Sequence, residues 1–189
     1  MKLLTYLSVM LFAFALMTRA AHAADELKKG DAAPDFELKG SDGKLHHLKD
    51  FKDKKAVVLA WFPRAFTGGC TAECKSLKEE GEAIRKFDVV YFTASTDAIE
   101  ATTVSKGNKA FAESLEADYP ILSDPEGKTA KEYGVLMANG AAANRWTFFI
   151  GKDGKILAID KEVNSEIKDG HYGQKVADKL KELKIAEKK

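Results

Sequence analysis

The chain has 189 residues, which bounds it to about one domain, and its 45% hydrophobic and 31% charged content is that of an ordinary globular protein. Thirty Lys and Arg against 29 Asp and Glu leave a net charge of +1, which excludes a strongly basic nucleic-acid binder or an acidic tail protein. Two cysteines cannot make a disulfide framework, so any thiol function rests on Cys70 and Cys74.

The first element is a targeting signal. After Met1-Lys2 the chain runs uncharged from Leu3 to Met17, and Arg19 and Ala21-His22-Ala23 follow. That run falls short of the roughly 20 apolar residues that cross a bilayer core. With its small-x-small end it predicts a secretory signal peptide over residues 1–23, cut after Ala23; an uncleaved anchor or a buried helix is the competing reading. No cysteine follows the run, which excludes a bacterial lipoprotein anchor. Cleavage removes Lys2 and Arg19 and leaves residues 24–189 as one domain with a charge of −1. That domain is expected to be extracytoplasmic, periplasmic or secreted, in an oxidising space and free of the membrane.

A polar lead-in covers Ala24 to Gly30, and Lys44-Leu-His-His-Leu48 reads as a short exposed strand. Ala56 to Phe62 (AVVLAWF) is a continuous apolar run of strand formers, which predicts a buried central strand, and Asp88 to Ser95 (DVVYFTAS) predicts a second. Between them a helix starts near Cys70, with Cys70, Cys74, Leu77, Gly81 and Ile84 on one inward stripe. A further helix is expected over Glu100–Glu116. Arg145–Ile150 and Lys155–Lys161 then form a hairpin across Gly151-Lys-Asp-Gly154, and a last helix covers His171–Leu183. This order implies an α/β architecture with a mixed sheet flanked by helices.

The chemistry gathers at one strand–helix junction, Pro63-Arg-Ala-Phe-Thr67-Gly-Gly69-Cys70-Thr-Ala-Glu73-Cys74. A thiol in the first turn of a helix sits near unpaired N–H groups and the positive end of the dipole. Both favour the thiolate, which is the nucleophile. Gly68 and Gly69 let the backbone approach closely, Thr67 brings a hydroxyl three residues before the sulfur, and Pro63 offers an apolar wall. Burial is the competing account, because cysteine is among the most buried residue types and both thiols lie on the core stripe.

The string Pro63-x3-Thr67-x2-Cys70-x2-Glu73 resembles the active-site signature of the peroxiredoxins, the AhpC/TSA-like family. Gly30 to Leu38 resembles the family's opening strand, and Ser95-Thr-Asp97 the turn after its next strand. Tyr119 to Asp124 with Tyr133-Gly-Val135 resembles its middle segment, and Arg145-x-Thr147-Phe148-x-Ile150 the strand bearing its arginine. The resemblance covers residues 28–185 and is nearest to the bacterioferritin-comigratory, or peroxiredoxin Q, group. It implies a thioredoxin-like fold and the reduction of hydrogen peroxide and organic hydroperoxides without cofactor or metal. A thioredoxin-like or other thiol would act as reductant, and the protein would be a monomer or homodimer.

By position the resemblance makes Cys70 the peroxidatic cysteine. Thr67 then hydrogen-bonds thiolate and peroxide, Pro63 shields the site, Gly69 lends it backbone, Arg145 holds thiolate and peroxide together, and Glu73 braces the arginine. A guanidinium beside a thiolate favours its charged form. Without the resemblance, Arg145 reads first as a strand-end arginine on a solvated rim. The group commonly places its resolving cysteine five residues after the first; here Cys74 follows at four. Positions i and i+4 of an intact helix are about 6 Å apart, but their Cβ vectors run nearly parallel, so a bridge requires unwinding. Cys74 is therefore either the resolving thiol or a packing residue beside an external resolver.

His46, His47 and His171 lack metal-site spacing. Cys-x3-Cys also suits a Sco-type copper carrier, but the histidine that such carriers place before a late strand is missing from Ala141-Ala-Ala-Asn-Arg145. A thiol–disulfide exchange protein wants Cys-x-x-Cys, which the chain lacks.

Overall fold

A computed structural model describes residues 26–168 and 170–188, with Ser165 described by its backbone alone. The expected signal peptide over residues 1–23 lies outside the described residues. In chain order the elements are β1 (Glu37–Gly40), β2 (Leu45–His47), a 3-10 turn (Leu48–Phe51), β3 (Ala56–Trp61), α1 (Gly68–Glu79), α2 (Gly81–Arg85) and β4 (Val89–Ser95). There follow α3 (Asn108–Leu115), β5 (Ile121–Ser123), α4 (Lys128–Glu132), β6 (Thr147–Ile150), β7 (Ile156–Asp160), α5 (Val163–Lys168) and α6 (Tyr172–Glu182).

The sheet runs β2-β1-β5-β4-β3-β6-β7. The β3/β4 and β4/β5 pairs are parallel, and the other four are antiparallel. All six residues of β3 are buried, because both faces of the sheet are covered. Ala56, Val58, Ala60 and Phe62 point to one face, where Cys70, Cys74, Leu77, Ile84, Phe111 and Val176 close over them. Val57, Leu59 and Trp61 point to the other, against Phe92, Tyr133 and Phe148. This is the mixed sheet with flanking helices that the strand order implies.

Two helices depart from the periodicity. The stripe from Cys70 to Ile84 is buried as expected, yet the helix breaks at Glu80 (φ −95°, ψ 11°) and restarts as α2. The helix expected over Glu100–Glu116 is confined to Asn108–Leu115. Thr102 is one reason, since its hydroxyl accepts from the N–H groups of Val104 (3.2 Å) and Ser105 (3.1 Å), a local turn that competes with helix. Gly107 is the other. It takes φ +83°, and an added Cβ there meets the Ile99 carbonyl oxygen at 2.5 Å.

Candidate active site

Parallel β3 and β4 end side by side, and the loop from β3 to α1 crosses this edge. The Asp97 carboxylate, whose side chain is closed to solvent, pins the loop. It accepts from the Ala65 N–H at 2.8 Å, from Arg64 Nη1 at 3.2 Å and from the Ser95 hydroxyl at 3.2 Å. Arg64 Nη2 also donates to the Ala141 carbonyl at 2.7 Å. The loop that leads to Cys70 is thereby tied to the loop that leads to Arg145. Between the pinned Ala65 and the helix start, Phe66 takes φ +63°, a conformation that costs a bulky side chain on the order of 1 kcal/mol. Its ring packs on Phe111 at 5.0 Å, which helps hold that turn.

Thr67 is the N-cap of α1, and Cys70 lies in its first turn. Phe66 to Gly69 are exposed, whereas Cys70, Glu73 and Cys74 are closed in. Arg145, just ahead of β6, spends all three sides of its guanidinium here. Nη2 donates to Cys70 Sγ at 3.2 Å, Nη1 pairs with Glu73 Oε2, and Nε donates to Asn164 Oδ1 on α5 at 2.9 Å. Its side chain is 9% exposed, so it is not a solvated rim residue. An added Cβ at Gly69 meets Nη2 at 3.3 Å, so the arginine's approach to the sulfur favours glycine there. Burial opposes the arginine's charge, but Glu73 and Cys70 outweigh it and hold its pKa above the ordinary value. Burial pushes the Glu73 carboxyl up to about 8, against the pull of Arg145, and its Oε1 has no hydrogen-bond partner among the described residues.

Thr67 departs from the role the resemblance implies. Its hydroxyl donates to the Arg64 carbonyl at 3.0 Å, not to Cys70, and does not cap the helix although its extended N-cap backbone (φ −88°, ψ 153°) is of the kind that allows capping. Pro63 is half-buried at the loop's start. Cys74 lies one turn inside the helix, free and fully buried. Its sulfur is 4.0 Å from the Thr93 hydroxyl, and its carbonyl accepts from the Tyr119 hydroxyl at 2.7 Å. Burial, then the charge of Glu73, drives its thiol pKa well above the ordinary value.

Sequence reasoning missed Asn164, Arg64 and the role of Asp97. Ser95-Thr-Asp97 was visible as a motif, but nothing local told that its carboxylate reaches back across the sheet edge. Asn164 carried no signal at all, being one exposed polar residue on a short helix. His46 and His47 lie on β2, away from this edge, where they face Asp42 and Glu37.

A thiol at a helix start, held by a half-buried arginine at the edge of a mixed thioredoxin-like sheet, defines the class: a thiol-based oxidoreductase. The AhpC/TSA family model matches residues 29–159. The chain is 31% identical over 149 residues to alkyl hydroperoxide reductase E of Mycobacterium tuberculosis, covering 76% of this chain and 91% of that protein. It is 30% identical over 162 residues to peroxiredoxin Bcp of Escherichia coli K12, covering 82% and 97%. The solved structure of peroxidoxin BcpB from M. tuberculosis superposes with a TM-score of 0.68 at 28% identity, over 82% of this chain and 97% of that one. The chain belongs to the AhpC/TSA family of peroxiredoxins, and it is a thiol-dependent peroxidase. The match favours peroxide chemistry over the copper-carrier and disulfide-exchange alternatives.

Proposed function

We propose that Cys70 is the peroxidatic thiol, that it takes hydrogen peroxide and organic hydroperoxides, and that Arg145 activates it. The observation that carries this reading is the 3.2 Å contact between Arg145 Nη2 and Cys70 Sγ in the first turn of α1. The thiolate attacks the terminal peroxide oxygen, the O–O bond breaks, and sulfur is oxidised to sulfenic acid. The alkoxide that leaves takes a proton and departs as alcohol, or as water from hydrogen peroxide. Arg145 supports the charge as it moves from sulfur to the leaving oxygen. Glu73 and Asn164 hold the guanidinium in place, and Pro63 walls the loop. Thr67 accepts the peroxide O–H while its own hydroxyl donates to Arg64.

Cys74 then resolves the sulfenic acid. Its thiolate attacks Cys70 sulfur and releases hydroxide, which becomes water, leaving a Cys70–Cys74 disulfide. Burial, the parallel Cβ vectors and the Tyr119 hydrogen bond all demand that residues 70–77 unwind first. An external thioredoxin-like or other thiol reduces the bridge. Residues 1–23 direct export, and the domain works outside the cytoplasm; this rests on the charge and small-x-small pattern of that segment.

The test is stopped-flow oxidation of the reduced protein by hydrogen peroxide and by an organic hydroperoxide, with mass analysis of the product. One rapid oxidation per chain, ending in an intramolecular bridge, supports the reading. A stable sulfenic acid, or only mixed disulfides with added thiols, shows Cys74 to be a packing residue. Amino-terminal sequencing of exported protein, expected to begin at Ala24, tests the signal.

A further inference from the structure

Two acids close on one cation at this site. Among the described residues, Arg145 is the cation that touches both Cys70 and Glu73. Its remaining nitrogen, Nε, goes to Asn164, a neutral acceptor. With thiolate and carboxylate both ionised, this enclosed cluster carries two negative charges against one positive. Glu73 and Cys70 are both 0% exposed, so water cannot repay the excess charge.

The two acids are not placed alike. Cys70 has the free N–H groups and positive end of α1 beside it. Glu73 is one turn further in, and one of its two oxygens, Oε1, is buried with no partner among the described residues. The titratable groups that face it are Cys74 on its own helix, Tyr119 ahead of β5 and Tyr172 on α6; the presence of Glu73 makes all three harder to ionise. None of them supplies a positive charge. If one proton is to remain in this cluster, the carboxyl is the better place for it.

The geometry points to Glu73 as the group that keeps the proton Cys70 gives up, so that the reduced site ionises by internal transfer. Cys70–SH and Glu73–COO⁻ become Cys70–S⁻ and Glu73–COOH, and the net charge of the cluster does not change. The thiolate then has Arg145 as its own counter-ion. Burial raises the Glu73 carboxyl to about 8, so at pH 7 this position can hold a proton. Above that pH the carboxylate forms, competes for the guanidinium and loosens its hold on thiolate and peroxide. The rate constant for peroxide reduction is expected to fall as pH rises through about 8. This inference rests on the reading of Cys70 as nucleophile.

Infrared difference spectra of the reduced full chain, titrated from acid to alkali, test it without peroxide. The expected result is a protonated-carboxyl C=O band present at pH 7, lost around pH 8, and absent from Glu73→Gln. Asp124 and Glu166 are also raised carboxyls, so a second variant separates them. In Cys70→Ser no thiolate competes for Arg145, and the Glu73 band is expected to disappear at least about one pH unit, a tenfold change in proton affinity, lower. If Glu73→Gln does not fold, the shift in Cys70→Ser still decides, with glutamate-selective carbon-13 labelling to exclude Asp124. A missing band at pH 7, or a band unmoved in Cys70→Ser, overturns the inference. The pH profile of peroxide reduction adds a kinetic readout: the alkaline fall is expected in the wild type and lost in Glu73→Gln, whatever that variant's absolute rate. Failure of the wild type to consume peroxide while the band behaves as stated would instead overturn the functional reading.

Discussion

Cys70 and Cys74 are the same residue type, one helical turn apart, both free and both fully buried, yet they live in opposite surroundings. Cys70 lies in the first turn of α1, next to an exposed stretch from Phe66 to Gly69, and meets a guanidinium at 3.2 Å. Cys74 meets a neutral hydroxyl at 4.0 Å, and burial drives its pKa up. On the proposed reading, burial alone does not decide reactivity. What decides is whether a positive partner and a helix terminus have been brought to the sulfur.

The largest test of that contrast removes each thiol in turn. Cys70→Ser is expected to lower the peroxide rate constant by roughly a thousandfold or more, while Cys74→Ser leaves the first oxidation intact in stopped-flow traces. Next, Arg145→Met is expected to slow the same step roughly a hundredfold to a thousandfold by removing the charge that sets the two thiols apart. The variant should remain folded at pH 7 by circular dichroism, because a protonated Glu73 left without its arginine is a smaller burden than a bare carboxylate. Third, alkylation of native Cys74 by iodoacetamide should run at least about a hundredfold slower than in urea, since it must await local opening. The smallest effect comes from Tyr119→Phe, which deletes the hydroxyl that donates to the Cys74 carbonyl. That bond is worth about 1 kcal/mol, so Cys70–Cys74 bridge formation should quicken about fivefold, as read by quenched mass analysis.

Much of the contrast was legible in the sequence, and for identifiable reasons. The apolar run of β3 and the glycines before Cys70 are local signals that fix a buried strand and a helix start. Glu73 and Arg145 came from the resemblance, being 72 residues apart. What stayed hidden depends on contacts across the sheet edge. Asp97 acts on Ala65 and Arg64 across more than 30 residues, and Asn164 reaches Arg145 from a short helix with no distinguishing pattern. The helix expected over Glu100–Glu116 failed for a local reason, since Thr102 and Gly107 give the chain better alternatives than helix. Thr67 shows the limit of a motif: it put a hydroxyl three residues before the sulfur but did not fix that hydroxyl's direction.

The most direct measurement is the site of first oxidation. Reduced protein is treated with less than one equivalent of hydrogen peroxide, trapped with dimedone and digested with trypsin. Cleavage after Arg64 and Lys75 puts both cysteines on one peptide, Ala65–Lys75, so fragment ions between them must assign the adduct. The predicted result is dimedone on Cys70 with Cys74 unmodified. An adduct on Cys74 ahead of Cys70 would contradict the account, because the thiol without a positive partner would then be the one that reacts first.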